Sequence, residues 1–220
     1  MKRRTTLGLI LGLATMLSAC GSGGDSQDNA QEAQAPEEKN EQCTYSYNAE
    51  NTSLTWTAFK TTDRVAVGGT FTNITVNMPG EYPSAADAVS VIDFEIETAS
   101  VSTDNPARDE TISTHFFASL ADEGRISGAV KGVHGNAESG KGTMKIKMNG
   151  VARDVDFTYT IMGSNVLLKT AISVSDFSGD DAVAALNTVC DGLHKGPDGI
   201  SKLWPDIDIE VSTKLDKKCD

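Results

Sequence analysis

Residues 144–161 read MKIKMNGVARDVDFTYTI, with an Asn149-Gly150 pair between two segments of alternating polarity. Before the pair, apolar side chains alternate with lysines; from Val155 to Ile161 they alternate with Asp and Thr. Such alternation predicts strands with one dry and one wet face, and Asn-Gly is the strongest short signal for a hairpin. The stretch therefore predicts antiparallel strands packed on one face.

The same two-residue period recurs along the chain and predicts an all-β fold of about eight antiparallel strands. Residues 103–120 and 180–195 lack this alternation and predict one or two short helices, too few to cover an open sheet. Closure into a barrel would remove the exposed edges, although a two-sheet sandwich would produce a similar pattern. The strands are expected near residues 53–60, 65–77, 89–98, 125–134, 141–149, 152–162, 165–174 and 206–215.

The N-terminus predicts a secretion signal at residues 1–19. A basic MKRR start precedes the mostly apolar stretch 7–17, which is shorter than the ~20 residues that span a bilayer. Leu17-Ser18-Ala19-Cys20 resembles the lipobox of bacterial lipoproteins, which implies cleavage before Cys20 and acylation of that residue. No Asp follows Cys20. The sorting rule for such lipoproteins then implies a lipid anchor in the outer membrane, facing the periplasm.

Residues 20–42 are expected to form the lipidated Cys and a disordered tether, because 21–42 contain no aromatic or β-branched residue and are rich in acids. The folded domain is then expected at 43–220. The whole chain has 19 Lys and Arg against 31 Asp and Glu, a net charge of -12. Such a charge repels phosphate backbones, so binding to nucleic acid is not expected.

Several motifs of the folded domain, taken in order, resemble the YceI-like family. LTWTAFK at 54–60 and VGGTF at 67–71 resemble the family's first two strands, and VIDFEI at 91–96 resembles a later one. STDNPARD at 102–109 resembles the segment that follows it. Phe116-Phe117 and the hairpin at 142–155 complete the likeness, whereas Thr111 stands where family members often have His.

The resemblance implies a lipocalin-like, eight-stranded antiparallel barrel with an apolar interior. It further implies binding of amphiphilic lipids, notably isoprenoid quinones or prenyl phosphates. Arg108 is the candidate for the head group, but it could instead pair with Asp109, Asp104 or a backbone carbonyl and hold its segment in place. The apolar candidates for the cavity wall are Trp56, Phe71, Phe94, Ile96, Met144, Ile146, Met148, Phe157 and Tyr159.

Three cysteines remain once Cys20 is acylated, and in an exported protein they allow one disulfide and one free thiol. Cys43 precedes the first predicted strand and Cys219 follows the last, so their pairing is the first choice. A Cys190–Cys219 bridge is the second.

The sequence predicts no catalysis, metal or cofactor. It contains no G-x-S-x-G, P-loop or G-x-G-x-x-G motif. Cys190 and His194 lie four residues apart on a predicted helix, which would also suit a metal or redox site. The leading hypothesis is an exported lipoprotein that carries, stores or buffers an amphiphilic lipid. The alternative is an envelope interaction module with a filled barrel, whose protein partner the sequence does not identify.

Overall fold

The computed structural model describes residues 42–121 and 124–220, which form mostly antiparallel strands. The predicted signal peptide, the lipidated Cys20 and the tether up to residue 41 lie outside the described residues. None of the described helices is both long and apolar enough to span a membrane. The strands are β1 (Cys43–Ser46), β2 (Thr52–Lys60), β3 (Val65–Phe71), β4 (Ile74–Asn77), β5 (Asp93–Glu97), β6 (Val101–Ser102), β7 (Arg125–Gly135), β8 (Ser139–Met148), β9 (Val151–Met162), β10 (Asn165–Ser173), β11 (Leu203–Lys214) and β12 (Asp216–Cys219); the α-helices are α1 (Ala85–Val89), α2 (Pro106–His115) and α3 (Asp180–Val189).

One antiparallel sheet of ten strands makes up most of the fold, in the order β4-β5-β7-β8-β9-β10-β11-β2-β3-β6. The consecutive strands β3 and β4 lie near opposite ends of this order, and only Thr72 and Asn73 separate them. The sheet therefore curls until the segment 65–77 contributes to both of its ends. This single curled sheet confirms the predicted antiparallel, lipocalin-like fold and is not a two-sheet sandwich.

The sheet has ten strands where eight were expected, because one predicted strand is split and one short strand is added. The segment 65–77 pairs with β2 along its first part and with β5 along its second. Between these parts, the backbone N–H groups of Thr72 and Asn73 donate to Ser100. The two-residue strand β6 then adds to the edge of β3.

The strand register gives the curled sheet two distinct ends. At one end, which we call the helical end, Lys60 pairs with Leu203, and the β2–β3 turn lies beside them. Asn149, in the β8–β9 turn, connects the segments that carry α2 and α3 there: its side chain accepts from the N–H of Ala121 and donates to the carbonyl of Phe177. At the other end, the disulfide end, lie the β9–β10 turn and the small β1–β12 sheet.

One strand prediction and one helix prediction need correction. The predicted strand at 89–98 begins only at Asp93, because residues 85–89 form α1. The Ser84 hydroxyl caps this helix by accepting from the N–H of Asp87, and Ala88 and Val89 are buried in the core. The predicted helix at 180–195 ends at Val189 and continues only as a short 3₁₀ turn at 191–193.

The predicted disulfide between Cys43 and Cys219 is confirmed, and Cys190 is a free thiol. The two bonded residues lie opposite each other in the β1–β12 pair, with their Cα atoms 4.0 Å apart. The alternative Cys190–Cys219 bridge is therefore not formed. The described residues from Gln42 onward form one compact unit that contains this disulfide and a continuous hydrophobic core. We therefore expect this part of the chain to fold on its own.

Candidate ligand cavity

An apolar cavity of about 630 Å³ lies inside the curled sheet. Its wall takes side chains from β2, β3, β4, β5, β7, β8, β10 and β11, together with α2, α3 and the residues that follow each helix. Pockets of about 300–1,000 Å³ with mostly apolar walls are typical of small-molecule binding sites. The interior of this barrel is therefore hollow over part of its length.

Most of the apolar residues that the sequence suggests for the cavity wall are brought together there. The aromatic ones come from β2, β3 and β5, and the methionines from β8. Strand alternation explains the set, because every second side chain of a strand faces the interior. The lining contains Trp56, Phe71, Phe94, Ile96, Met144, Ile146 and Met148.

Phe157 and Tyr159, also suggested for the cavity wall, do not line the cavity. Both are 2% exposed and belong to the filled core instead. Each aromatic ring lies over a glycine on the neighbouring strand β8: a Cβ placed on Gly142 would be 2.4 Å from Cζ of Phe157, and one on Gly140 would be 2.5 Å from the hydroxyl of Tyr159. The glycines let these rings fill the part of the interior toward the disulfide end.

Further wall residues come from the helical end and from β11. The apolar spacing of α3 was recognised in the sequence as a helix face, and the alternation around Ile207 as a strand. What sequence reasoning missed was that these faces border the empty part of the interior. The set includes Ile112, Phe116, Val183, Leu186, Leu203, Ile207, Ile209 and Val211.

Trp56 and Phe94 hold their positions in the wall because glycines face them across the sheet. A Cβ on Gly69 would be 2.3 Å from Cζ2 of Trp56, and one on Gly128 would be 2.5 Å from Cζ of Phe94. The Trp56 ring also donates from Nε1 to the Thr70 carbonyl, at 3.3 Å. The flat rings can thus lie against the sheet, and the space in front of them stays open.

We expect Gly69→Ala to destabilise the domain by about 1–3 kcal/mol and to change the Trp56 fluorescence, because overpacking displaces the ring. The new methyl group would also be 2.8 Å from the Ser102 carbonyl oxygen, so the backbone must move as well. Urea unfolding, followed by fluorescence, measures both effects. Gly132→Ala is the control, since a Cβ at Gly132 meets nothing within 4 Å. Equal stability of the two variants would contradict this packing.

The cavity opens to solvent at the helical end. Four lining residues are exposed, namely Asn105, Ala107, Arg108 and Leu193. All four belong to the start of α2 or to the turn after α3. A ligand would therefore enter and leave between these two helical segments.

The charged groups of the cavity wall are basic, although the chain as a whole has a net charge of -12. Lys60 and Arg108 line the cavity together with His194, and no Asp or Glu is among the described lining residues. The Lys60 Nζ donates to the Leu193 carbonyl at 3.0 Å, which holds the ammonium at the helical end. Lys60 is the residue that sequence reasoning missed here; its position at the end of the inward-facing series Leu54, Trp56, Ala58 was the available signal.

Arg108 holds its segment in place and also lies at the cavity mouth. Its Nε donates to the Thr103 hydroxyl at 2.7 Å, and one terminal nitrogen donates to the Thr103 carbonyl at 2.8 Å. Asp109 does not pair with Arg108; its carboxylate accepts from the backbone N–H of Thr103 at 2.8 Å. These bonds fix the start of α2, and with it the exposed guanidinium at the opening.

Cys190 and His194 follow helix α3, at the wall of the cavity. No group of three or more potential metal ligands occurs among the described residues. Burial raises the pKa of the Cys190 thiol, and the charge of Lys60 only partly opposes this. A thiol with a raised pKa is protonated at neutral pH and is a poor nucleophile.

His194 is buried at the cavity wall, and we expect it to make the domain less stable in mild acid. Its Nδ1 donates to the Asn187 side-chain oxygen at 2.8 Å. Burial, together with the charge of Lys60, lowers the pKa of His194 below its ordinary value, and Asp191 only partly opposes this. The unfolded chain therefore binds the proton more readily.

The contribution of neutral His194 to the free energy of unfolding is fully present above pH 6.5. It is lost as the pH falls from 6.5 through the lowered pKa of His194 in the folded protein. Melting temperatures at pH 7.5 and 5.5 test this, with His194→Asn as the comparison, because its amide can keep the bond to Asn187. We expect a smaller acid-induced drop in the variant. A drop of equal size in both proteins would exclude His194 as its source.

A curled antiparallel barrel around an apolar cavity that opens at one end defines a lipocalin-like small-molecule binding fold. A family model for the YceI-like domain matches residues 45–215, and the chain belongs to this family. No curated protein matches the chain at a significant level.

Three solved structures share the fold at low sequence identity. A polyisoprenoid binding domain from Saccharophagus degradans, implicated in plant cell wall breakdown, aligns with a TM-score of 0.55 and 12% identity over 82% of this chain and 99% of that one. BcnA of Burkholderia cenocepacia aligns with a TM-score of 0.53 and 12% identity, over 79% and 99%. The YceI protein of Campylobacter jejuni aligns with a TM-score of 0.50 and 20% identity, over 70% and 85%.

Proposed function

We propose that this protein binds one amphiphilic lipid with an isoprenoid-like chain and carries, stores or buffers it. The observation behind this proposal is the apolar cavity of about 630 Å³ that opens at a basic end. The chain would lie along the apolar wall, and the head group would lie near Lys60 and Arg108. The function is binding, without catalysis or cofactor.

The physical driving force is the burial of the ligand's hydrocarbon chain. Each CH₂ removed from water contributes about 0.8 kcal/mol, so a five-carbon isoprene unit contributes about 4 kcal/mol. The methionines of β8 suit a flexible ligand, because their unbranched side chains adapt to irregular shapes. The polyisoprenoid binding domain among the similar structures supports this ligand class. A filled barrel, the alternative, would contain no such cavity.

The two head groups under consideration make different demands on the basic end. An isoprenoid quinone needs only hydrogen-bond donors, which both Lys60 and Arg108 can supply. A prenyl phosphate would also gain from their positive charges. Lys60→Gln keeps a hydrogen-bond donor but removes the positive charge. It should therefore weaken the binding of a prenyl phosphate much more than the binding of a quinone.

The binding test uses residues 42–220, delipidated by organic extraction and then refolded. Native mass spectrometry should detect one bound molecule after incubation with a long-chain isoprenoid quinone or a prenyl phosphate. A quinone head group without its isoprenoid tail is the control and should not bind measurably. If neither lipid binds to the refolded domain, the lipid-binding proposal fails.

We also propose that the protein is exported and anchored to the outer membrane, facing the periplasm, through acyl chains on Cys20. The basic start, the short apolar stretch and the lipobox-like LSAC support this. The tether up to residue 42 would hold the domain near the membrane. Metabolic labelling with an alkyne fatty acid should mark the wild type but not Cys20→Ser; labelling of both would refute the anchor.

A further inference from the structure

Large exposed apolar side chains are concentrated around the mouth of the cavity. Six such residues are more than 40% exposed in the described part of the chain. Two of them, Val91 and Met162, lie away from the mouth. The other four surround the helical end, and we call them the apolar rim: Val65, Val189, Leu193 and Ile200.

The segments that carry the apolar rim are connected by hydrogen bonds across the helical end. The N–H of Thr61 donates to the Lys202 carbonyl at 2.8 Å, and the Thr62 hydroxyl donates to the Asp198 carboxylate at 2.6 Å. Together with the bond from Lys60 to Leu193, these contacts hold the β2–β3 turn against the loop at 194–202. These hydrogen bonds therefore fix the positions of the segments that carry the rim.

The apolar surface is continuous from the cavity to the rim. Leu193 lines the cavity and is also 71% exposed, so its side chain belongs to both surfaces. Val189 is the last residue of α3 and directly precedes the lining residue Cys190. An apolar ligand that passes over the rim thus meets apolar side chains along the way.

The charge around the rim is balanced, in contrast to the rest of this acidic chain. Residues 60–65 and 189–206 contain four basic residues and four acidic ones. Trp204 lies among them: Lys202 Nζ is 3.4 Å from its ring centroid, and its Nε1 donates to the Thr61 carbonyl. An amphipathic Trp beside long basic side chains is typical of a surface between water and hydrocarbon.

We propose that the apolar rim docks on the surface of a lipid bilayer, so that a lipid passes between the bilayer and the cavity without crossing water. This inference rests on the proposed lipid-binding function. Because the rim is apolar and locally neutral, docking depends on side-chain insertion and requires no anionic lipid.

An anchor at Cys20 is compatible with this orientation. Cys43 lies at the disulfide end, opposite the rim, and strand β2 of nine residues spans about 30 Å between the two ends. Twenty-two residues separate Cys20 from Cys43, and a chain of that length reaches up to about 75 Å. The rim can therefore face the same bilayer that holds the anchor.

The test is flotation of residues 42–220 with phosphatidylcholine vesicles, at low and at high salt. We expect the domain to float equally in both. The double variant Val189→Asp/Ile200→Asp should bind vesicles at least about tenfold more weakly, because two inserted side chains are lost. Met162→Asp is the matched control, since Met162 is 69% exposed but lies at the disulfide end; it should float like the wild type.

A second measurement separates docking from cavity binding. A prenyl phosphate delivered in detergent should bind the double variant as it binds the wild type, because neither Val189 nor Ile200 lines the cavity. No flotation of the wild type, loss of flotation at high salt, or an equal loss in Met162→Asp would overturn docking. So would loss of the detergent-delivered lipid by the double variant. Rim-dependent self-association without vesicle binding, detected by sedimentation, would assign the rim to a second copy of the chain. If flotation depends on the rim but no lipid binds in the cavity, the docking proposal stands and the lipid-binding proposal fails.

Discussion

Ala58→Trp should weaken binding of an isoprenoid lipid by roughly a thousandfold, because the indole occupies space that one isoprene unit needs. Ala58 lines the cavity, as do its cross-strand partners Val67 and Ile207. Displacing five carbons forfeits about 4 kcal/mol of burial, which corresponds to that factor in Kd. The dissociation constant of the delipidated domain for an isoprenoid quinone measures the effect.

The control for this substitution is Ala66→Trp on the neighbouring strand. Ala66 does not line the cavity and is exposed on the outer face of the sheet, so a Trp there adds no bulk to the cavity. It should bind lipid like the wild type. Both variants should melt cooperatively, which shows that they are folded. If Ala58→Trp binds as tightly as Ala66→Trp, the ligand does not occupy this cavity.

Removal of the disulfide should be the largest single loss of stability. Cys43 and Cys219 are separated by 176 positions in the chain, so the bond closes almost the whole domain into one loop. The double variant Cys43→Ser/Cys219→Ser should lose about 2–5 kcal/mol. In a domain of this size, that corresponds to a decrease of roughly 4–20 °C in the melting temperature.

Calorimetry of the oxidised protein provides the measurement, and Cys190→Ser provides the matched control. Cys190 is a free thiol and half-buried, so its exchange for Ser should change the melting temperature only slightly. Treatment with a reductant should destabilise the wild type and Cys190→Ser equally, and leave the double variant unchanged. A double variant as stable as the wild type would mean that the disulfide hardly restricts the unfolded chain.

Most of the fold could be predicted from local sequence patterns. Alternation in residues 144–161 specifies strands, their hairpin and the face that each side chain occupies, because these depend on neighbouring residues only. The disulfide followed from the positions of Cys43 and Cys219 outside the first and last predicted strands. Both inferences need the order of elements but no detailed packing.

Features that depend on packing between distant segments were missed. Phe157 and Tyr159 alternate like the wall residues, and only the register that places them opposite Gly142 and Gly140 assigns them to the filled core. Helix α1 was missed although Ser84 and Asp87 carry a capping signal, because its five residues are too short for a helical period to appear. The role of Lys60 depends on a loop more than a hundred residues away in the chain.

Native mass spectrometry of the protein purified from the cell envelope, without added lipid, shows whether the cavity holds a lipid in the cell. A hollow apolar barrel should not stay empty among membrane lipids. We expect one bound lipid per protein in the wild type, released by organic extraction, and much less in Ala58→Trp. A wild-type protein that carries the bare polypeptide mass, apart from its anchor, and takes up no isoprenoid lipid afterwards would show that the protein is not a lipid carrier.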